Sequence, residues 1–150
     1  MIRRLDLLLV DDEAADAALF ARALRRAAFN VALQTLSAGQ QAINYLEAKA
    51  PYADRTRYPL PDVIVLDLKM PELNGFDFLA WRKASLLFLT IPVVVLSGSP
   101  DRNEIDRVFA LGANKHIAKP ADLDGWQAVV TDIYHFATAG TEFFHERTSH

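Results

Sequence analysis

The middle of the chain contains the strand that decides the fold, Val63-Ile64-Val65-Leu66, which is followed directly by Asp67. An unbroken apolar run rich in β-branched residues is typical of a strand that is buried on both faces. Other short runs rich in β-branched residues or Leu stand on either side of it, at residues 7–10, 31–36 and 93–96, with a weaker one at residues 116–118. Such strands belong to a parallel sheet that is covered by helices on both sides.

The segments between these runs have the spacing of amphipathic helices. In the first segment, apolar residues recur three and four positions apart, at Ala17, Phe20, Ala21, Leu24 and Ala28. Similar patterns follow Gly39, Gly75 and Pro100, and a last helix is predicted from about Asp122 to Phe136. The alternation of strand and helix predicts a doubly wound (βα)5 domain of the α/β class, with a five-stranded parallel sheet.

Length and composition narrow the class of protein. The chain has 150 residues, which fits a single domain over residues 1–140 and a C-terminal tail over residues 141–150. A net charge of −3 argues against binding to nucleic acid, and the absence of Cys fits a reducing compartment. No apolar run approaches the roughly 20 residues that cross a bilayer, so we expect a cytoplasmic protein that does not enter membranes.

Polar side chains follow the predicted strands at the points where they end. Asp11, Asp12 and Glu13 follow the first strand, Asp67 the third, Ser97 the fourth and Lys119 the fifth. In open α/β sheets, ligands bind outside the carboxyl ends of the strands. Crowded carboxylates repel each other unless a cation lies among them, and Mg²⁺ prefers such oxygen ligands. The pattern predicts an aspartyl-phosphate site, although the three Asp could also be independent helix caps.

Four motifs in this order resemble the response-regulator receiver domains of two-component signalling. They are Val10 to Glu13, Leu66 to Gly75, Val95 to Ser99 and Gly112 to Pro120. The resemblance covers about residues 5–136 and implies the flavodoxin-like receiver fold. The long loop before the third strand, together with residues 91–96 and 119–124, is similar to a narrower branch. Members of that branch are stand-alone regulators partnered with bacterial phytochrome histidine kinases.

The resemblance implies a role for each residue at the strand ends. Asp67 would accept a phosphoryl group from a kinase phosphohistidine. Asp12 and Asp67 would bind Mg²⁺ directly, Asp11 would act through water, and the backbone carbonyl of Lys69 would be a further ligand. The phosphate would be bound by Lys119 and Ser97.

The resemblance also bears on two further positions. Pro120 would follow a cis peptide bond that places the preceding Lys119. The aromatic residue that commonly switches with the hydroxyl group is replaced here by His116, which leaves the usual switch open.

The resemblance also implies partners. These are a sensor histidine kinase, which could be a bacteriophytochrome, a downstream protein, and a second copy bound through the fourth helix, fifth strand and fifth helix. Candidate contacts on that face are Arg102, Asp106, Arg107, Lys115, Asp122 and Trp126. Catalysis would be limited to phosphorylation and dephosphorylation of the chain itself.

Two other function classes stay open at this point. A Mg²⁺-dependent phosphohydrolase with an aspartyl nucleophile would usually carry a second acid two residues later, where this chain has Lys69. A receiver that binds partners without phosphate would not need the retained Asp and Lys residues.

Two segments carry structural rather than chemical expectations. The apolar run from Leu86 to Leu89 is expected to pack into the core, with a partner site as the alternative. The segment from Lys49 to Pro61 is expected to form a surface loop, with a functional lid as the alternative.

Overall fold

The computed structural model describes residues 3–98 and 100–148 of the chain. In this part, five strands alternate with five helices, as predicted. The strands are β1 (Leu5–Val10), β2 (Val31–Leu36), β3 (Val63–Asp67), β4 (Val93–Ser97) and β5 (Lys115–Ala118). The helices are α1 (Ala14–Ala27), α2 (Gly39–Leu46), α3 (Gly75–Lys83), α4 (Arg102–Ala110) and α5 (Leu123–Thr148).

The strands form one parallel sheet in the order β2-β1-β3-β4-β5. The strand order reverses at β1 and β3, and ligand sites of doubly wound sheets lie at such switch points. Val10 pairs with Leu66 in the register of these two strands, so Asp11 and Asp67 leave the sheet side by side. The predicted α/β class and sheet are confirmed.

The sheet has a hydrophobic core on each face, because successive side chains of a strand point to opposite sides. One core contains side chains of α2, α3 and α4, and the other contains side chains of α1 and α5. Every residue of β3 and β4 is buried. This explains why the sequences of these two strands do not alternate between polar and apolar residues.

Side-chain caps fix where α3 and α4 begin. The Asn74 side chain accepts a hydrogen bond from the backbone N–H of Asp77 (2.9 Å), and the Asp77 carboxylate accepts one from the N–H of Asn74 (3.1 Å). This reciprocal pair satisfies two backbone donors at the start of α3. Asp101 caps α4 by accepting a hydrogen bond from the N–H of Glu104 (2.7 Å).

The last helix is longer than predicted. α5 continues through Phe136 to Thr148, so the predicted tail is helical over residues 141–148. No proline interrupts this segment, and the isolated Gly140 costs only about 1 kcal/mol relative to Ala in a helix. Residues 149 and 150 of the predicted tail lie outside the described residues. Among those that the structure describes, no helix combines the length and apolar character needed to cross a membrane.

The expectation that residues 86–89 pack into the core is wrong for most of them. Leu86 and Leu87 are 93% and 81% exposed, and Leu89 is 41% exposed. Only Phe88 is buried, where it stacks on Trp81 with ring centroids 5.7 Å apart. α3 ends before this segment, and the turn that follows directs a single side chain to the core.

The segment from Lys49 to Pro61 is a surface loop, as expected. Arg55 anchors it by donating hydrogen bonds to the carbonyl oxygens of Tyr45 (2.9 Å) and Leu46 (2.6 Å), the last residues of α2. The Tyr45 hydroxyl donates to the carbonyl of Pro59 (2.8 Å). The loop precedes β3 and therefore lies at the edge of the sheet opposite the carboxyl ends of the strands.

Candidate functional site

Three carboxylates meet at the carboxyl edge of the sheet. Oxygen atoms of Asp11, Asp12 and Asp67 lie within 4.8 Å of one another. Asp11 and Asp67 are buried at 3% exposure each, whereas Asp12 is open to solvent. The predicted convergence of these three residues is therefore present in the structure.

None of the three Asp caps a helix. The residue before α1 is Glu13, which makes no side-chain cap, and α3 is capped by Asn74. Asp11 Oδ1 instead accepts a hydrogen bond from the N–H of Glu13 (2.9 Å) and shapes the turn that leads into α1. The interpretation of these residues as independent helix caps is therefore wrong.

Gly75 permits α3 to begin directly beside the end of β3. A Cβ atom on this residue would lie 2.6 Å from the backbone oxygen of Asp67 and 2.7 Å from Cα of Leu68. The Gly75 N–H also donates a hydrogen bond to the carbonyl of Leu68 (3.0 Å). The segment after β3 therefore folds back tightly, and only glycine fits where it returns.

Lys119 brings a positive charge into the pocket from the end of β5. Its backbone N–H donates to the carbonyl of Ser97 (2.8 Å), which fixes the residue beside the end of β4. Its ammonium nitrogen lies 2.9 Å from Asp16 Oδ2, 3.1 Å from Asp11 Oδ2 and 3.5 Å from Asp67 Oδ1. The side chain is 9% exposed, so these ion pairs are poorly screened by water.

The predicted cis bond before Pro120 is wrong. Among the described residues, the cis peptide bond of the chain is the one between Ala50 and Pro51. The trans form is the more stable one for most X–Pro bonds. Lys119 is placed instead by its backbone hydrogen bond to β4 and by the carboxylates around its ammonium group.

The electrostatics of the pocket follow from its burial and its excess of acids. Burial is the main reason that the pKa of Asp67 is raised to about 6, and the charge of Asp11 contributes to the rise. Lys119 and the backbone N–H of Lys69 act in the opposite direction, because they favour the ionised form. For Lys119, burial alone would lower the pKa, but Asp16, Asp67 and Asp11 outweigh it and hold the pKa above its usual range. The ammonium group is therefore permanently charged at neutral pH.

The donor set fits a hard divalent cation. Asp67 Oδ2 is buried and has no hydrogen-bond partner among the described residues, although a buried carboxylate oxygen normally has one. Three carboxylates so close together match the oxygen ligands of such cations. The residues that could hold the metal are therefore Asp11, Asp12 and Asp67.

Ser97 is the second group with unused hydrogen-bonding capacity. Its hydroxyl oxygen is buried at the end of β4 and has no partner in the described part of the chain. A hydroxyl group can donate to an oxygen of a ligand bound at the adjacent Asp67. Ser99, which lies beyond it, is outside the described residues.

His116 lies on β5, where it contacts α4. Its Nε2 atom lies 3.4 Å from Oε2 of Glu104, and the two side chains are only 7% and 14% exposed. α4 has a single buried residue, Val108, so this pair is one of few contacts that hold the helix to the sheet. Arg107 joins α4 to the neighbouring helix by packing over the ring of Phe76 on α3, at 3.9 Å from its centroid.

The proposed dimer face is partly corrected by the structure. Trp126 is 3% exposed and packs edge-on against Phe20 of α1, so it belongs to the core and cannot contact a second copy. Its helical spacing with the other buried residues of α5 explains why it faces inward. The remaining candidates, Arg102, Asp106, Arg107, Lys115 and Asp122, are exposed or half-buried.

Sequence reasoning missed Asp16 and Glu104. Asp16 lies in the first turn of α1 and makes the shortest contact to Lys119, and Glu104 pairs with His116. An acid in the first turn of a helix that starts at this edge of the sheet was the available signal for Asp16. Acids are also common there because the helix dipole stabilises a negative charge at this end, so an acid in the first turn is only a weak sign of a functional residue.

The fold and the site together define a class: a doubly wound α/β domain with an acidic pocket, a buried carboxylate at the end of β3 and a lysine ammonium group beside it. The sequence profile of the response regulator receiver domain family matches residues 7–131, and the chain belongs to this family. Response regulator Rcp1 of Synechocystis sp. is 30% identical over 130 residues, which cover 87% of this chain and 86% of Rcp1.

Solved structures give the same result. The phosphorylated cyanobacterial phytochrome response regulator RcpA has a TM-score of 0.83 and 32% identity, covering 92% of this chain and 96% of RcpA. The Mn²⁺-bound form of Rcp1 has a TM-score of 0.77 and 30% identity, covering 88% of this chain and 93% of that one. The chain is thus similar to phytochrome response regulators over almost its whole length.

Proposed function

We propose that Asp67 accepts a phosphoryl group from the phosphohistidine of a sensor histidine kinase in a Mg²⁺-dependent reaction. A carboxylate oxygen of Asp67 attacks phosphorus, and the P–N bond breaks with its electron pair leaving on the imidazole. The observation that carries this proposal is Asp67 Oδ2, a buried carboxylate oxygen without a hydrogen-bond partner in the described residues. It lies in a pocket that also holds Asp11, Asp12 and the Lys119 ammonium group.

The ion is proposed to be held by Asp12 and Asp67 directly, by Asp11 through water and by the carbonyl of Lys69. Both oxygens of Asp11 already have partners, the N–H of Glu13 and the Lys119 ammonium group, which supports an indirect role. When bound, Mg²⁺ offsets the charge of the acids and of the incoming phosphoryl oxygens.

Two side chains are proposed to bind the transferred group. The Lys119 ammonium pairs with a phosphoryl oxygen, and the Ser97 hydroxyl donates a hydrogen bond to another. The buried and unpartnered hydroxyl oxygen of Ser97 supports this role, since a bound phosphoryl group would satisfy it.

The output is proposed to be a change in protein contacts at the face formed by α4, β5 and α5. When Ser97 moves toward the phosphoryl group, space opens beside β5, and His116 is the residue placed to respond. Because His116 pairs with Glu104, a movement of its ring would also move α4. The receiving surface would be a downstream protein or a second copy of the chain.

The rival function, a Mg²⁺-dependent phosphohydrolase, is not favoured. The position two residues after Asp67 holds Lys69, an exposed base, where such an enzyme would place an acid. We therefore propose that catalysis is confined to phosphorylation and dephosphorylation of Asp67 itself.

The phosphodonor is proposed to be a bacteriophytochrome-type histidine kinase in the cytoplasm. This rests on the similarity to the response regulators Rcp1 and RcpA, the second of which is a phytochrome response regulator. No role at membranes or on nucleic acid is proposed, in line with the net charge of −3.

The experiment that tests the proposal is labelling with a small phosphodonor, acetyl phosphate. Intact mass spectrometry should show one added phosphoryl group on the wild type with Mg²⁺ and none when the ion is chelated. Asp67→Asn should remain unlabelled, whereas Asp106→Asn, an exposed acid on α4, should behave as the wild type. Acid-stable label on Asp67→Asn, or multiple turnovers of an external phosphomonoester, would contradict the proposal.

A further inference from the structure

We propose that Asp16 is a positioning residue for phosphoryl transfer, which holds the Lys119 ammonium group beside Asp67. The inference rests on the proposed function, because it concerns the same reaction. It assigns a role to an acid of α1 that lies outside the predicted group of metal ligands.

The contact with Asp16 is the shortest that the Lys119 ammonium group makes to a carboxylate. Nζ of Lys119 donates a hydrogen bond to Oδ2 of Asp16 at 2.9 Å, compared with 3.1 Å to Asp11 and 3.5 Å to Asp67. An ammonium group has three N–H donors. With two of them directed at Asp16 and Asp11, the third is available on the side of Asp67, where a phosphoryl group would be added.

Asp16 is also the acid whose contact with Lys119 a bound metal ion would not weaken. The candidate cation site consists of Asp11, Asp12 and Asp67. An ion bound there would partly neutralise the negative charge of Asp11 and Asp67. Their attraction for Lys119 would weaken as a result. Asp16 is not in that cluster, so its contact with Lys119 does not compete with binding of an ion there.

A lysine needs such an anchor because its side chain is long and flexible. Ordering a free lysine side chain costs about 2 kcal/mol in rotamer entropy. An ammonium group that is already held in place does not bear this cost in the transition state. The link also joins α1 to β5 across 103 positions of the chain, so both elements fix the position of the charge.

The opposing possibility is that Asp16 hinders the reaction through its charge, which would repel an incoming phosphoryl group. The two roles predict opposite signs. Removing an anchor slows labelling of Asp67, whereas removing a repelling charge speeds it. Asp16→Asn separates them, because its amide oxygen still accepts a hydrogen bond from the ammonium group but carries no charge.

The test measures rates of labelling by acetyl phosphate at saturating Mg²⁺ for the wild type, Asp16→Ala and Asp16→Asn. We expect Asp16→Ala to lower the maximal rate about tenfold, as for the loss of one charge-assisted hydrogen bond. The phosphodonor concentration at half-maximal rate and the Mg²⁺ affinity should stay within about twofold, because neither depends on the anchor. Asp16→Asn should fall between the other two.

Asp106→Ala is the matched control, since it also removes one acid from a helix, but this acid lies on α4, is 67% exposed and pairs with Arg102 at 3.6 Å. It should label at the wild-type rate. In a Lys119→Ala background, adding Asp16→Ala should cause no further loss, because the group that Asp16 positions is gone.

Three results would overturn the inference while leaving the proposed function intact. They are wild-type or faster labelling of Asp16→Ala, an Asp16→Asn rate no higher than that of Asp16→Ala, and an undiminished loss in the Lys119→Ala background. If the wild type itself is not labelled at Asp67, the proposed function fails first, so the two failures are distinguishable.

Discussion

Asp67→Asn should make the metal-free protein more stable, although it removes the proposed acceptor. Burial raises the pKa of Asp67 from its ordinary value of 3.8 to about 6. At 1.36 kcal/mol per pKa unit, ionising this carboxyl in the folded state costs about 3 kcal/mol more than in the unfolded chain. Solvent that enters beside the exposed Asp12 reduces this to roughly 1–2 kcal/mol. The amide has the same shape and no charge, so the cost disappears.

The assay is thermal unfolding in chelator at several pH values. For a domain of this size, the expected gain in Tm at pH 7.5 is roughly 2 to 8 °C. Because the folded-state pKa is raised, the folded wild type holds a proton that the unfolded chain releases between about pH 4 and pH 6. The wild type should therefore lose stability as pH rises through this window, and the difference between the two proteins should be small near pH 4.

Mg²⁺ should then reverse the order. It binds the folded wild type and raises its Tm by mass action, while Asp67→Asn lacks one of the proposed ligands. Asp106→Asn removes an exposed acid and should change neither the Tm nor its pH dependence appreciably. The reasoning fails if Asp67→Asn is no more stable than the wild type at pH 7.5, or if the difference between them does not depend on pH.

Three further predictions concern the framework of the fold. Arg82→Ala should lower the free energy of unfolding, measured in urea, by about 3 kcal/mol. The reason is that the carbonyls of Ile91 and Gly112 lose the buried guanidinium group that donates hydrogen bonds to them. An unchanged midpoint of urea unfolding would contradict this. Tyr45→Phe should be less sensitive to alkali than the wild type, because burial raises the pKa of Tyr45 to about 12. The wild type should lose this contribution as pH rises from about 10 to 12, so equal slopes for both proteins would refute the assignment. Asn74→Ala should cost about 1 kcal/mol through loss of the α3 cap, measured in the same urea titration, and no loss would show that the cap is dispensable.

The fold could be predicted from the sequence because its strands and its helices have different patterns of apolar residues. Unbroken apolar runs such as Val63 to Leu66 predict strands buried on both faces, and helical spacing between them predicts covering helices. Once the sheet is parallel, the ends of all strands fall on one edge. The approach of Asp11, Asp12 and Asp67 therefore follows from their position after strands, without any knowledge of side-chain angles.

Other features depend on orientations that a linear pattern does not contain. Whether Asp16 reaches Lys119 depends on how α1 is rotated over the sheet. In the same way, the contact between Glu104 and His116 depends on the rotation of α4. The exposure of Leu86 depends on where α3 stops, and hydrophobicity does not report this. The bond before Pro120 is trans, although the family resemblance implied a cis bond.

The measurement that tests the central claim most directly is the location of the phosphoryl group after labelling with acetyl phosphate and Mg²⁺. Borohydride reduces an acyl phosphate to the alcohol, so a phosphorylated Asp is converted to homoserine, which peptide mass spectrometry can place in the sequence. We predict homoserine at position 67 alone. Homoserine at position 11 or 12, or no conversion in protein that carries the label, would contradict the assignment of Asp67 as the acceptor.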